Sequence, residues 1–102
     1  MKTLINFDNI EIGQTIVSDV YKRPVKCIYR TENKVYFRTT HPVASDIGLL
    51  YWYEKNNQNI LLYHVAINAE IENESLVEKL KTQSTKPQFW VEGKTVKDLY
   101  LI

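Results

Sequence analysis

The sequence is poor in residues that cross-link, interrupt or anchor a chain, since its 102 residues include one cysteine, three glycines and three prolines. A single cysteine excludes an internal disulfide and also the paired cysteines of zinc and thiol redox motifs. No apolar run reaches the length of a membrane span, and the opening residues MKTLINFDNI lack the apolar segment of a signal peptide. We therefore expect one cytoplasmic domain over residues 1–102, without membrane association.

The composition is that of an ordinary globular domain, at 44% hydrophobic and 25% charged residues with a formal net charge of +1. Ten lysines, eight asparagines and ten isoleucines favour AT-rich codons, which indicates a low-GC bacterium or one of its phages or mobile elements. Charge is spread unevenly. Residues 20–40 carry six basic side chains and one acidic, whereas residues 69–78 carry four glutamates and no basic residue. Such asymmetry either steers a partner or is satisfied inside the molecule.

Most of the chain consists of short runs rich in β-branched and aromatic residues, which predicts strands. Six or so short strands around one core favour a mainly β domain of the β-rich α+β class. Its architecture is predicted to be a small curled antiparallel sheet or an SH3-like barrel. The run IEIGQTIVSD is similar to the first strand of many small SH3-like barrels, a pattern too common to indicate a family.

One segment, NESLVEKLKTQ, predicts a short helix over residues 73–83. Asn73 is placed to cap its N-terminus. Three apolar side chains form a narrow stripe along the helix: Leu76, Val77 and Leu80. The final run QFWVEGKTVKDLYLI predicts a hairpin turning at Glu92–Gly93, in which residues 95–102 form either a strand or a short helix.

The runs VKCIYR and VYFRTT predict a first hairpin. A three-residue loop over Glu32–Lys34 brings its two apolar faces together, with Tyr29 opposite Phe37 and Cys27 opposite Thr39. In this register three basic side chains point outward together with one tyrosine, and a fourth lies at the tip of the hairpin. The outward residues are Lys26, Arg30, Tyr36 and Arg38, and the residue at the tip is Lys34. Cations beside an aromatic ring on a sheet are typical of single-stranded nucleic acid binding. The alternative is a solvated hairpin face that protects a sheet edge.

A second hairpin is predicted from GLLYWYEK and QNILLYHVAI, with a two-residue turn at Asn56–Asn57. Both faces of this 48–67 hairpin are apolar, so it must be covered twice. The apolar stripe of the predicted helix is too narrow to cover one whole face of this hairpin. We therefore expect a partner protein or a second copy, as a homodimer, to contact Leu50, Trp52 and Tyr63.

The stretch THPVASDIG holds His41, Ser45 and Asp46, the residue types of a hydrolase triad. Triad members normally come from separated segments and no G-x-S-x-G turn is present, so we interpret the stretch as a loop. Cys27, His41 and His64 lack the close spacing of zinc ligands. We expect no enzyme activity, no metal and no cofactor.

Taken as a whole, the sequence favours a non-enzymatic binding module that acts on a protein partner through the 48–67 hairpin. A phage or mobile-element product that modulates a host protein would fit this description. The alternative hypothesis is a small RNA- or ssDNA-binding β-barrel that uses the basic hairpin.

Overall fold

The computed structural model describes residues 2–82 and 94–102, which are mainly β, with two antiparallel sheets and one α-helix. The strands of the described residues are β1 (Thr3–Leu4), β2 (Thr15–Ser18), β3 (Val25–Lys26), β4 (Tyr29–Arg30), β5 (Lys34–Thr40), β6 (Ile47–Asn56), β7 (Asn59–Asn68), β8 (Lys94–Val96) and β9 (Leu99–Leu101). The helix α1 spans Asn73–Thr82, and a short 3-10 helix spans Phe7–Asn9.

The strands form a four-stranded sheet in the order β1-β9-β2-β3 and a five-stranded sheet in the order β4-β5-β6-β7-β8. Two chain segments give a strand to each sheet. One bends at Cys27–Ile28 between β3 and β4, and the other bends at Lys97–Asp98 between β8 and β9. The sheets therefore meet at two corners. The mainly β prediction is confirmed, while the hydrogen bonds of the described residues form two sheets and no closed barrel.

The 48–67 hairpin forms as predicted, with its turn one residue further along, at Asn57–Gln58. Asn57 has φ 58°, a left-handed conformation that asparagine tolerates well. Trp52 consequently lies opposite Tyr63 instead of Leu61. The pairing shifts by two residues, so every side chain keeps its predicted face.

Both faces of the five-stranded sheet contribute buried residues, so this hairpin is covered on both sides. The face toward the four-stranded sheet contributes Val35, Phe37 and Tyr53 to the core between the sheets. The opposite face contributes Tyr36, Leu50, Trp52 and Val65, which pack with Leu76 of α1 into a second cluster. The helix and the four-stranded sheet therefore sandwich the central sheet.

The first hairpin is paired one residue out of the predicted register. Tyr29 lies opposite Tyr36 and Arg30 lies opposite Val35, because the chain reverses in a two-residue turn after Thr31. The prediction of a three-residue loop, with Tyr29 facing Phe37, was therefore wrong.

This error has a physical cause in the corner at Cys27–Ile28. The run VKCIYR is two strands, so Val25 and Cys27 enter the core between the sheets while Tyr29 packs on the other side. There its ring lies 6.1 Å from that of Tyr36. Because the five-stranded sheet has an apolar environment on both faces, alternation of apolar residues does not select one register.

The helix and the end of the chain modify two further predictions. Asn73 is the first helical residue, and its side-chain oxygen accepts a hydrogen bond from Arg38 in place of capping α1. The stretch 95–102 is strand and not helix, since it holds most of β8 and all of β9. These two strands pair with different sheets. The predicted turn at Glu92–Gly93 and the predicted last helical residue, Gln83, lie outside the described residues.

A buried hydrogen bond joins the two sheets. The phenol of Tyr53 in β6 donates to Ser18 Oγ in β2 at 3.0 Å. The same oxygen accepts the backbone N–H of Tyr21 at 2.8 Å and that of Val20 at 3.3 Å. Burial raises the pKa of Tyr53 to about 12, because the phenolate would lose its hydration in the core.

We expect this phenol to make the fold sensitive to alkali. A tyrosine in the unfolded chain ionises near pH 10, so between about pH 10 and 12 only the unfolded state releases the proton. The stabilisation is complete below pH 10 and is lost as pH rises through this window, by up to about 2–3 kcal/mol. The free energy of unfolding, measured with urea at pH 8 and pH 11, should therefore fall less between these two pH values for Tyr53→Phe than for the unchanged protein.

Tyr53→Phe itself should cost about 1 kcal/mol at pH 8, since the hydrogen bond to Ser18 is removed while the ring packing is kept. Tyr100→Phe, which changes a half-buried ring in β9, is the matched control. Equal alkaline losses in the unchanged protein and in Tyr53→Phe would show that the Tyr53 phenol is not the responsible group.

Candidate functional site

Arg30, predicted to point outward toward nucleic acid, is half-buried and binds the chain itself. Its Nη1 donates to the carbonyl oxygens of Ile10 at 2.6 Å and Phe7 at 3.0 Å, and its Nε donates to that of Thr31 at 3.1 Å. Nη2 reaches the carbonyl of Glu32 at 3.4 Å, and the guanidinium lies 5.3 Å from the centre of the Phe7 ring. Arg30 thus fixes the 3-10 helix against the first hairpin.

Arg38 has a similar internal role on the opposite face of the five-stranded sheet. Its Nη1 donates to the carbonyl of Ile71 at 2.6 Å and to Asn73 Oδ1 at 2.9 Å, and its Nη2 donates to the carbonyl of Ala69 at 3.3 Å. These three acceptors line the chain entering α1. The guanidinium therefore holds the start of the helix on the sheet.

The predicted basic face does not exist as one surface. Tyr36 is only 2% exposed, and Lys34 lies 3.8 Å from a carboxylate oxygen of Glu54. Lys26 is exposed but belongs to β3 in the other sheet. With both arginines bound to carbonyls, Lys26 is the one member of the predicted set that presents an exposed side chain.

The residues predicted to contact a partner lie mostly inside the molecule. Leu50 is 2% exposed and Trp52 is 1% exposed, because α1 and its leading segment cover them. The indole N–H of Trp52 donates to Glu54 at 3.3 Å. Tyr63 is half-buried, and its ring lies 5.8 Å from that of Trp52. Leu50 and Trp52 offer no surface to a second chain in this conformation.

The residue types of a hydrolase are present in the β5–β6 loop without a triad geometry. His41 Nδ1 accepts hydrogen bonds from the backbone N–H groups of Val43 and Ala44, and Ser45 and Asp46 are exposed. Cys27 is fully buried, and burial raises the pKa of its thiol, which disfavours the reactive thiolate. Among residues 2–82 and 94–102, no group of three or more metal-ligating side chains comes together.

An open polar cleft of about 770 Å³ lies where the tips of the two hairpins meet the 3-10 helix. Its cations are already engaged: Lys55 Nζ lies 3.0 Å from Asp8 Oδ2, and Arg30 is bound to carbonyls. A ligand would have to displace these contacts, so the cleft is a poor candidate for an anion site.

The outer face of the four-stranded sheet is exposed at Leu4 and Ile102, a surface that sequence reasoning missed. Strand pairing aligns Leu4, Tyr100 and Val17 in one row across β1, β9 and β2. Alternate residues of β9 and β2 enter the core, so this row points away from it. Leu4 is 65% exposed, and Ile102, two residues beyond Tyr100, is 51% exposed. Val17 is only 3% exposed, so it offers no surface. We call the other three residues the β1–β9 patch: Leu4, Tyr100 and Ile102.

The four-stranded sheet carries an excess of basic side chains. The segments that build the four-stranded sheet, 2–4, 15–26 and 97–102, carry five basic and two acidic side chains, a difference of +3. The basic residues are Lys2, Lys22, Arg23, Lys26 and Lys97, all exposed, and in the described residues none has a carboxylate within 4.0 Å. One of the two acids, Asp19, accepts the backbone N–H groups of Lys97 and Asp98.

Part of the β1–β9 patch could have been predicted from the sequence, because alternation along residues 99–102 places Tyr100 and Ile102 on the same side of a strand. What the sequence did not reveal was that β1 lies beside β9 and adds Leu4 to the row.

No family model, curated protein or solved structure matches this chain. In the described part of the chain, no helix has both the length and the apolar character that crossing a bilayer requires.

The internal role of Arg30 leads to a stability prediction. Arg30→Ala leaves the carbonyls of Phe7 and Ile10 without their charged donor, and we expect the free energy of unfolding to fall by about 2–3 kcal/mol. Arg30→Lys should lose most of this as well, since an ammonium does not reproduce the planar fork of donors.

The matched control is Lys26→Ala, which removes an exposed cation and should change the unfolding free energy by no more than about 0.5 kcal/mol. Urea denaturation of the three variants provides the comparison. If Arg30→Ala and Lys26→Ala lose the same small amount, the guanidinium contacts do not stabilise the fold.

Proposed function

We propose that the protein is a non-enzymatic binding module whose partner is a protein with an acidic surface, and that this partner contacts the β1–β9 patch. The observation that carries the proposal is the exposure of Leu4 and Ile102 beside the half-buried ring of Tyr100. The sheet that bears them also carries basic side chains that have no carboxylate within 4.0 Å among the described residues. The patch replaces Leu50 and Trp52 as the contact residues, because those two side chains are buried under α1.

The patch has the anatomy of an interaction surface. Its centre combines aliphatic side chains with an aromatic ring, and its rim is polar and charged, as in specific protein interfaces. Scattered single exposed apolar residues are ordinary, but here Leu4 pairs with Tyr100 and Ile102 lies two residues beyond Tyr100.

Charge selects the class of partner. The excess of basic over acidic side chains in the segments of the four-stranded sheet favours an acidic protein surface, by steering its approach and by discriminating against basic surfaces. A second copy is less well matched, because the acidic segment of this chain lies at α1, on the opposite side of the molecule from the four-stranded sheet. Contact between two such different surfaces would be head-to-tail and would not close into a dimer.

The alternative hypothesis, RNA or ssDNA binding through the basic hairpin, has less support. Arg30 and Arg38 donate hydrogen bonds to backbone carbonyls, so they could contact phosphates only after these bonds are broken. Tyr36 is buried, so a base could stack on its ring only after a rearrangement. Lys26 remains available beside the β1–β9 patch. A nuclease arm in the experiment separates the two hypotheses.

The test is affinity capture from nuclease-treated and untreated lysate of a low-GC bacterium, followed by a titration of the captured protein with variants. Leu4→Ser with Ile102→Ser removes the exposed apolar centre and should weaken binding about tenfold or more, as loss of interface anchors does. Lys26→Glu should mainly slow association and reduce its dependence on salt. Ile12→Ser, at 58% exposure in the turn before β2, is the matched control and should bind normally.

Unchanged affinity of the Leu4→Ser, Ile102→Ser variant would contradict the proposal. Loss of all captured material after nuclease treatment would instead favour nucleic acid. Sedimentation of the protein alone provides a third arm. A molecular mass that increases with concentration in the unchanged protein, but not in the double variant, would identify a second copy as the partner.

A further inference from the structure

The β5–β6 loop is held by a histidine side chain that acts as a hydrogen-bond acceptor. His41 Nδ1 lies 3.2 Å from the backbone nitrogen of Val43 and 3.2 Å from that of Ala44. The loop is then closed by two backbone bonds, from the Ile47 N–H to the Ala44 carbonyl and from the His41 N–H to the Ile47 carbonyl, both at 3.2 Å. Pro42 has no N–H, so the Val43 amide is the first donor the ring can reach.

Asparagine does the same elsewhere in this chain. Asn6 Oδ1 accepts the N–H of Asp8 at 3.1 Å, and Asn68 Oδ1 accepts the N–H of Glu70 at 2.9 Å. In both, an acceptor two bonds from Cβ binds a backbone N–H two residues further on. Imidazole Nδ1 occupies the same position relative to Cβ. His41 therefore takes the role of a turn-forming asparagine, with one chemical difference.

The difference is that an imidazole ring can be protonated, whereas an asparagine side chain cannot. An imidazole nitrogen accepts a hydrogen bond only while it carries no proton, so both bonds require the neutral tautomer with its proton on Nε2. Protonation converts Nδ1 into a donor that faces two other donors. An asparagine oxygen undergoes no such change between pH 5 and 8.

We propose that His41 is a pH-sensing residue that fixes the β5–β6 loop only in its neutral form. The residue presented by this loop is Val43, which is 87% exposed. Protonation of the ring removes both side-chain bonds within the loop, so Val43 is presented in one geometry while the ring is neutral and is released when the ring is protonated. This inference is independent of the proposed binding through the β1–β9 patch.

Other ionisable groups do not substitute for the ring. The loop itself contains Asp46, whose carbonyl accepts the Ala69 N–H, and this contact brings the segment with Glu70 and the guanidinium of Arg38 against the loop. In the described residues none of these groups forms an ion pair with His41 within 4.0 Å. Between pH 5 and 8, imidazole is the side chain that ordinarily changes charge.

The test is NMR spectroscopy of the whole protein. Nitrogen-15 correlation spectra at pH 8 should show the His41 proton on Nε2. Between pH 8 and pH 5, the amide resonances of Val43 and Ala44 should follow the titration of the His41 ring. His41→Asn should keep the loop amides at their pH 8 positions throughout, because its oxygen replaces Nδ1 and does not titrate.

His41→Ala removes the acceptor at every pH. At pH 8 it should accelerate hydrogen exchange of the Val43 and Ala44 amides by roughly five- to tenfold, the factor that one net hydrogen bond provides. His64→Asn, at the other histidine of the chain, is the control and should leave the loop titration intact. A His41 proton on Nδ1 at pH 8, or loop amides in His41→Ala that exchange as in the unchanged protein, would overturn the proposal.

Discussion

The structure depends on one constraint: a central sheet that is apolar on both faces has to be covered on both. Strands β5, β6 and β7 carry large side chains alternately toward the four-stranded sheet and toward α1. Two polar contacts hold the covering elements against the central sheet. The Tyr53–Ser18 hydrogen bond joins the two sheets, and Arg38 holds the segment leading into α1 against the other face. Without either cover, buried aromatic rings would face water.

The distribution of charge follows from the same architecture. Both arginines of the first hairpin lie where irregular backbone meets the central sheet, and such segments have carbonyls without ladder partners. A guanidinium satisfies several of these at once, because its donors are held in a rigid fork. Lysines cannot do so and remain outside, as Lys22 and Lys26 do on the four-stranded sheet. The two arginines of the first hairpin are therefore structural, whereas the exposed lysines of the four-stranded sheet are available to a partner.

The two accessible features proposed to act are independent of this core. The β1–β9 patch lies on the sheet face opposite the core, and the His41 loop lies at one end of β5 and β6. None of the residues of the patch or of the loop belongs to either buried cluster. Substitutions there should test binding and loop conformation without the confounding loss of the fold that changes at Trp52 or Tyr53 would bring.

The sequence by itself determined the mainly β class, the position of the helix and the two faces of the 48–67 hairpin. Local periodicity is sufficient for these, and even a turn displaced by one residue, at Asn57, left the faces unchanged. Only the tertiary structure decided the register of the first hairpin, because burial on both faces made Tyr29 equally acceptable on either side. It also decided the candidate site, since Leu4 and Tyr100 are 96 positions apart and become neighbours only through β1–β9 pairing. Alternation specifies which side of its own strand a residue occupies, but long-range pairing specifies what lies beside it.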